Sequence, residues 1–275
     1  NNNHGTVSGA TLSTDRFGDT NRTYSFDGTN DAININVSKP LGISGQFTVS
    51  AWVNPSSFDH LDYPFVVSAE TLTNRAFAFG GEGPVYGANK SKAHLYANDD
   101  GAGAVRSNPI PLNRWTLITA TYDGNHYRMY QDGQLAGTHA ANAGGNVRFI
   151  DKLTVGHSNI GGVDLPKQYW QGSIDDIRIY NRDLSTAEVT ELYTLEKPPP
   201  VFAPAITTHP VSQTATAGAN VTFSVDANGT APFTYQWQKN NGNIAGATAA
   251  SFTLTNVQSA DAGTYRCVVT NTAGN

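Results

Sequence analysis

The sequence predicts an all-β protein, an antiparallel jelly-roll sandwich followed by a smaller β-sandwich, and three observations lead there. Charged residues make up only 14% of the 275, while 27 Gly, 12 Tyr and 12 Phe accompany Thr-rich segments, a turn-rich sheet composition unlike that of a helical bundle. From Tyr24 to Tyr180 apolar and polar residues alternate in successive short runs separated by turn residues. Helix-start chemistry comes late, at Ser185, so helices cannot supply the layers of the fold, and two packed antiparallel sheets remain.

Taken in order, Tyr24–Asp31 (YSFDGTND) is a strand running into an Asp-Gly turn, and Phe47–Pro55 (FTVSAWVNP) alternates until Asn54-Pro55 ends its pairing. Trp115–Tyr122, Tyr127–Gln131 and Leu135–Thr138 are joined by Asp123-Gly124 and Asp132-Gly133, strong short-range hairpin signals, so the three strands form a meander. Trp52 and Trp115, set among small and β-branched residues, are expected in the core. Gly172–Tyr180 (GSIDDIRIY) is the last strand before the helix. Ser185 to Glu188 is a capping box, Leu184 can staple against Val189, and the helix should run to about Leu195.

These blocks, in this order, strongly resemble the laminin-G-like (concanavalin A-like lectin/glucanase) jelly-roll domains of bacterial surface and secreted proteins. The resemblance covers roughly residues 4–195 and places the first domain at 1–196. Such domains open with a further strand before the stretch at His4, a strand expected to be missing from this sequence, and the resemblance implies a structural calcium ion tying the strand near the start to the strand near the end. Calcium takes about six to eight oxygen ligands. By resemblance Asp27 and Asp175 are the carboxylate candidates, Gly28 and Asn30 offer carbonyl or amide oxygens, and Asp176 is held in reserve. In a regular strand Asp175 and Asp176 point to opposite faces, so at most one should reach such a site. The alternative is an Asx turn at Asp27 and a solvated Asp175.

Residues 197–204 are a proline-rich linker, extended and stiff. Beyond it residues 205–275 resemble an immunoglobulin-like domain, with Trp237 as the buried strand-C tryptophan and Tyr265, two residues before Cys267, as the tyrosine corner. Val225 stands where the partner cysteine would be, so Cys267 is expected to be a small buried apolar residue, and the domain should stop before its last strand.

Function is bounded first by what is absent from the pattern. A net charge of −5 without a basic cluster gives no nucleic-acid footprint, and no apolar run is long enough to span a bilayer. The dispersed Glu and His residues form neither the acid pair of a glycosidase nor a zinc triad, and there is no Gly-x-Ser-x-Gly elbow, so an enzyme is not expected. Aromatic residues in or beside Gly- and Asn-rich stretches, Tyr63, Tyr86, Tyr96, His157, Tyr169 and Trp170, are candidates for sugar stacking, although packing over loop backbone is the more common use of such side chains. The expectation is a monomeric, non-catalytic adhesion or display segment of a larger secreted or surface-anchored protein, its partner a glycan or surface protein. The alternative is a carbohydrate-binding accessory region of an exported polysaccharide-degrading enzyme.

Overall fold

The computed structural model describes residues 4–37, 45–58, 64–70, 75–81, 91–97, 105–141, 152–157 and 168–275. The chain divides into two compact units, Asn1–Pro198 and Pro199–Asn275. The first unit is built on two seven-stranded sheets whose pairings are all antiparallel. One sheet runs, edge to edge, β1 (Gly5–Ser8), β4 (Ala32–Asn36), β13 (Lys152–Val155), β6 (Phe65–Glu70), β7 (Arg75–Gly81), β8 (Lys92–Ala97) and β9 (Val105–Pro109). The other runs β12 (Gln134–Ala140), β11 (His126–Gln131), β10 (Thr116–Tyr122), β5 (Phe47–Pro55), β14 (Gln171–Tyr180), β3 (Thr23–Asp27) and β2 (Thr11–Ser13).

The core lies between the sheets and follows the period of two. Phe47, Val49, Ala51 and Val53 of β5 meet Val67, Phe77, Phe79 and Leu95 of the facing sheet, with Phe47 stacked on Phe77 at 5.4 Å. The meander is as the Asp-Gly turns require. Strands β10, β11 and β12 pair in succession, and Asp132 and Gly133 adopt φ of 50° and 76°, the left-handed values of a tight hairpin.

The opposite face of β5 is buried as well: Thr48, Ser50 and Trp52 are at most 1% exposed. Helix α1 (Thr186–Glu196) is what covers this side of the sheet, for Leu184 and Val189 pack with Tyr130, and Tyr193 stacks on Trp52 at 5.9 Å. The capping box at Ser185 and Glu188 is present. Trp52 is therefore buried under the helix and not between the sheets, and Trp115 departs from the expectation: it is only half-buried and precedes β10.

In the second unit β15 (Ala205–Thr208) pairs with β17 (Asp226–Asn228), and β16 (Val221–Ser224) with β20 (Ser251–Leu254). Strand β18 (Thr234–Lys239) lies between β19 (Gly242–Asn243) and β21 (Tyr265–Thr270). Trp237 is fully buried opposite Cys267, and the Tyr265 hydroxyl donates to the Asp261 carbonyl at 2.7 Å, the expected tyrosine corner. Val225 is buried beside them, and Cys267 is partly buried against the same cluster, its thiol pushed up by that burial.

Candidate functional site

Strand β14 carries the two carboxylates that the sequence singles out, and its geometry decides what they can do. Asp175 pairs with Trp52 and Arg178 with Ser50, so one extra residue is inserted on β14 between them. Asp176, at φ 44°, takes the left-handed turn of this β-bulge. The alternation of faces fails at that point, and both carboxylates reach one cation. Arg16 Nη1 lies 2.7 Å from Asp175 Oδ2, and Arg16 Nη2 lies 2.7 Å from Asp176 Oδ2.

Arg16 sits in the turn between β2 and β3, where Asp15 Oδ1 accepts from the backbone N–H groups of Phe17 and Asp19. Its side chain is only 4% exposed, and its guanidinium lies over the rings of Phe17 and Trp52 at 4.5 and 5.0 Å. Its third donor, Nε, reaches the carbonyl of Glu196 at 2.9 Å. The Glu196 carboxylate accepts from Trp52 Nε1 at 3.0 Å and pairs with Arg178 at 2.8 Å. A buried charge is tolerable only when such partners satisfy its donors. Burial, then the adjacent Asp176 carboxylate, push the Asp175 carboxyl upward against the pull of Arg16.

Asp27 belongs elsewhere. It lies opposite Gln171 in the β3–β14 ladder, four residues from Asp175 and so about 13 Å away along the strand. Its Oδ1 accepts from the N–H groups of Thr29 and Asn30, closing an Asx turn through Gly28 at φ 83°. Asp31, 6% exposed, receives the Asp27 N–H, and burial pushes its carboxyl upward.

The set Asp27, Gly28, Asn30 and Asp175 is therefore not brought together, and Asp176 joins Asp175 on a guanidinium. These residues do not fit a calcium ion. Among the described residues no group of three or more His, Cys, Asp or Glu is placed to hold a metal.

The aromatic candidates also move. His157, Tyr169 and Trp170 are buried, with His157 and Tyr169 stacked at 3.9 Å and Trp170 edge-on to Phe58 at 5.9 Å, which removes them as open stacking faces. Tyr63 and Tyr86 lie outside the described residues, and Tyr96 is placed on β8 by its backbone. Among the described residues no helix is long and apolar enough to cross a membrane.

Sequence reasoning missed Arg16 and the role of Glu196. The available signal was the Asp-Asp doublet itself, since two acids in a row inside an alternating strand call for either a bulge or an exposed face.

Comparison with known proteins agrees with the two units. Residues 27–190 match the family model described as the concanavalin A-like lectin/glucanases superfamily, and residues 203–271 match an immunoglobulin domain. Endoglucanase C of Cellulomonas fimi is 32% identical over 109 residues, 38% of this chain, and the chain spans only 9% of that enzyme's length. A heptameric SAP-like pentraxin from Limulus polyphemus shares the fold at TM-score 0.52 and 18% identity, over 62% of this chain and 81% of its own. The binding domain of botulinum neurotoxin serotype D does so at TM-score 0.55 and 12% identity, over 94% of this chain and 75% of its own. With its sandwich, its late capped helix and residues 27–190 all in agreement, the chain belongs to the concanavalin A-like lectin/glucanases superfamily, with an immunoglobulin domain following.

Proposed function

We propose that this chain is a non-catalytic segment of a larger extracellular protein, in which a lectin-like sandwich and an immunoglobulin-like domain on a stiff linker serve adhesion or display. The observation that carries this reading is the Arg16 clasp. The most conspicuous acid pair in the chain is held on a buried guanidinium at 2.7 Å, where neither carboxylate is free to act as nucleophile or general acid. Proline-rich chain directly after the helix suits projection of the two units from a surface.

A second reading is favoured by the match to Endoglucanase C: the chain is a carbohydrate-binding accessory region of a polysaccharide-degrading enzyme. A glycan array probed with the whole chain separates the two. Binding to a defined polysaccharide supports the accessory reading, and silence across the array returns the chain to display alone. Release of reducing sugar from any polysaccharide on incubation with the purified chain would overturn both.

A further inference from the structure

Beyond Tyr193, stacked on Trp52 at 5.9 Å, helix α1 has little of its own to hold its far end. Val189 is its one buried residue, Leu195 is 75% exposed, and its last turn carries no basic side chain to meet the negative end of the helix dipole. Arg16, 180 positions earlier, supplies that charge by donating from Nε to the Glu196 carbonyl at 2.9 Å. The Glu196 side chain, 14% exposed, is fixed in addition by Trp52 of β5 at 3.0 Å and by Arg178 of β14 at 2.8 Å. Residue 196 is thus bound through backbone and carboxylate to the β2–β3 turn and to two central strands.

One residue later the chain becomes extended, with Lys197 at φ −62° and ψ 142°, and enters Pro198, Pro199 and Pro200. Phe202 is already fastened within the second unit. Its N–H donates to Thr230 Oγ1 at 2.9 Å, and its carbonyl accepts from Asn271 Nδ2 at 2.7 Å. Only residues 197–201 separate the two points of attachment, and three of them are prolines with little slack to give.

A pull on the end of an ordinary surface helix peels it turn by turn, because only a few contacts resist at a time. A pull arriving at residue 196 meets charge-assisted hydrogen bonds to β5 and β14 first. We propose that Glu196 is the tension anchor of the first unit, passing force from the linker into the central strands of the sheet and keeping helix α1 docked under load. The proposal deepens the display reading, which supplies the pull, yet the anchor is a property of the chain alone and is tested without any ligand.

The test stretches the full chain between its two ends in a force spectrometer. In the native protein the helix stays docked until the first sandwich gives way. In Glu196→Ala a separate early step appears as the 11 helical residues extend, a gain of about 2 nm from a rise of ~1.5 to ~3.5 Å per residue. Glu196→Gln, which keeps an acceptor for Trp52 Nε1 but loses the charge facing Arg178, releases the helix at an intermediate force. Hydrogen exchange at zero force gives a second reading: protection of the amides of residues 191–196 falls roughly tenfold in the Ala variant. An early 2-nm step in the native protein, on the order of the helix's own extension, overturns the proposal. So does a folded Glu196→Ala variant with native protection and no early step.

Discussion

Replacing Arg16 by Ala tests the central feature of the first unit. The substitution leaves Asp175 without a counter-charge beside Asp176, which keeps only the longer pairing to Arg178 at 3.7 Å, and it uncaps the Glu196 carbonyl. Breaking a buried pair by removing one partner costs about 3–5 kcal/mol. Asp176, 40% exposed, adds little because solvent screens its share, while Asp175, 13% exposed, bears most of the loss. Asp175 can relieve part of it by taking up a proton, so a loss of about 3 kcal/mol at neutral pH is expected, or about 6–12 °C in Tm for a unit of this size. The sign of the pH dependence follows from the upward push on Asp175. A carboxyl whose folded pKa lies above its unfolded value binds protons more readily when folded, so stability falls as pH rises through that window. Removing Arg16 raises the folded value further, and the deficit of the variant shrinks as pH is lowered from neutrality. Urea melts followed by tryptophan fluorescence report on this directly, because Trp52 lies beneath the guanidinium. A loss below about 1 kcal/mol, the range of an exposed pair, would refute the reasoning. So would a double-mutant cycle with Asp175→Asn that shows no coupling.

The remaining expectations are simpler. Millimolar calcium, or its removal by EDTA, leaves Tm unchanged within about 1 °C, since a ligand bound by the native state alone must raise it; a clear rise restores the calcium site. Asp31→Asn keeps an acceptor for the Asp27 N–H but removes a carboxylate whose burial pushes it upward, so it flattens the rise in stability that the native protein shows on mild acidification; calorimetry across that range checks it. Gly172→Ala, at φ 130°, would set its Cβ 2.3 Å from the Asn54 carbonyl oxygen and 2.7 Å from the Pro55 Cα, and since backbone cannot yield as a side chain can, soluble expression should fall sharply. Ser185→Ala removes the helix cap at a cost of about 1 kcal/mol in thermal melts. The Glu188 carboxyl of that cap is held at about 2 by Arg182 and Ser185, so its contribution is complete above pH 4.5 and disappears toward pH 2, as helical circular dichroism should show.

The parts of this fold that were legible in the sequence are those whose physics is local. Asp132-Gly133 makes a hairpin because both residues tolerate left-handed backbone, and Ser185 with Glu188 starts a helix because each satisfies the other's amide. What the sequence concealed is non-local. Trp52 has the pattern of a sheet-core residue, but which side of the sheet buries it depends on a helix whose Tyr193 arrives 141 positions later. Asp175 and Asp176 had to be assigned to opposite faces until the bulge at Asp176 put them on one guanidinium. An acid in a half-buried strand announces a need for positive charge without saying whether a metal ion or a side chain meets it. Here the answer lies in a turn whose place is set only once β3 has paired with β14, and nothing near Arg16 in sequence points to its partners 159 and 160 positions away. The choice has a physical consequence. A guanidinium is always charged and covalently part of the chain, so a clasp built on Arg16 holds the first unit together at any calcium concentration, whereas one built on a metal would open wherever the ion is scarce.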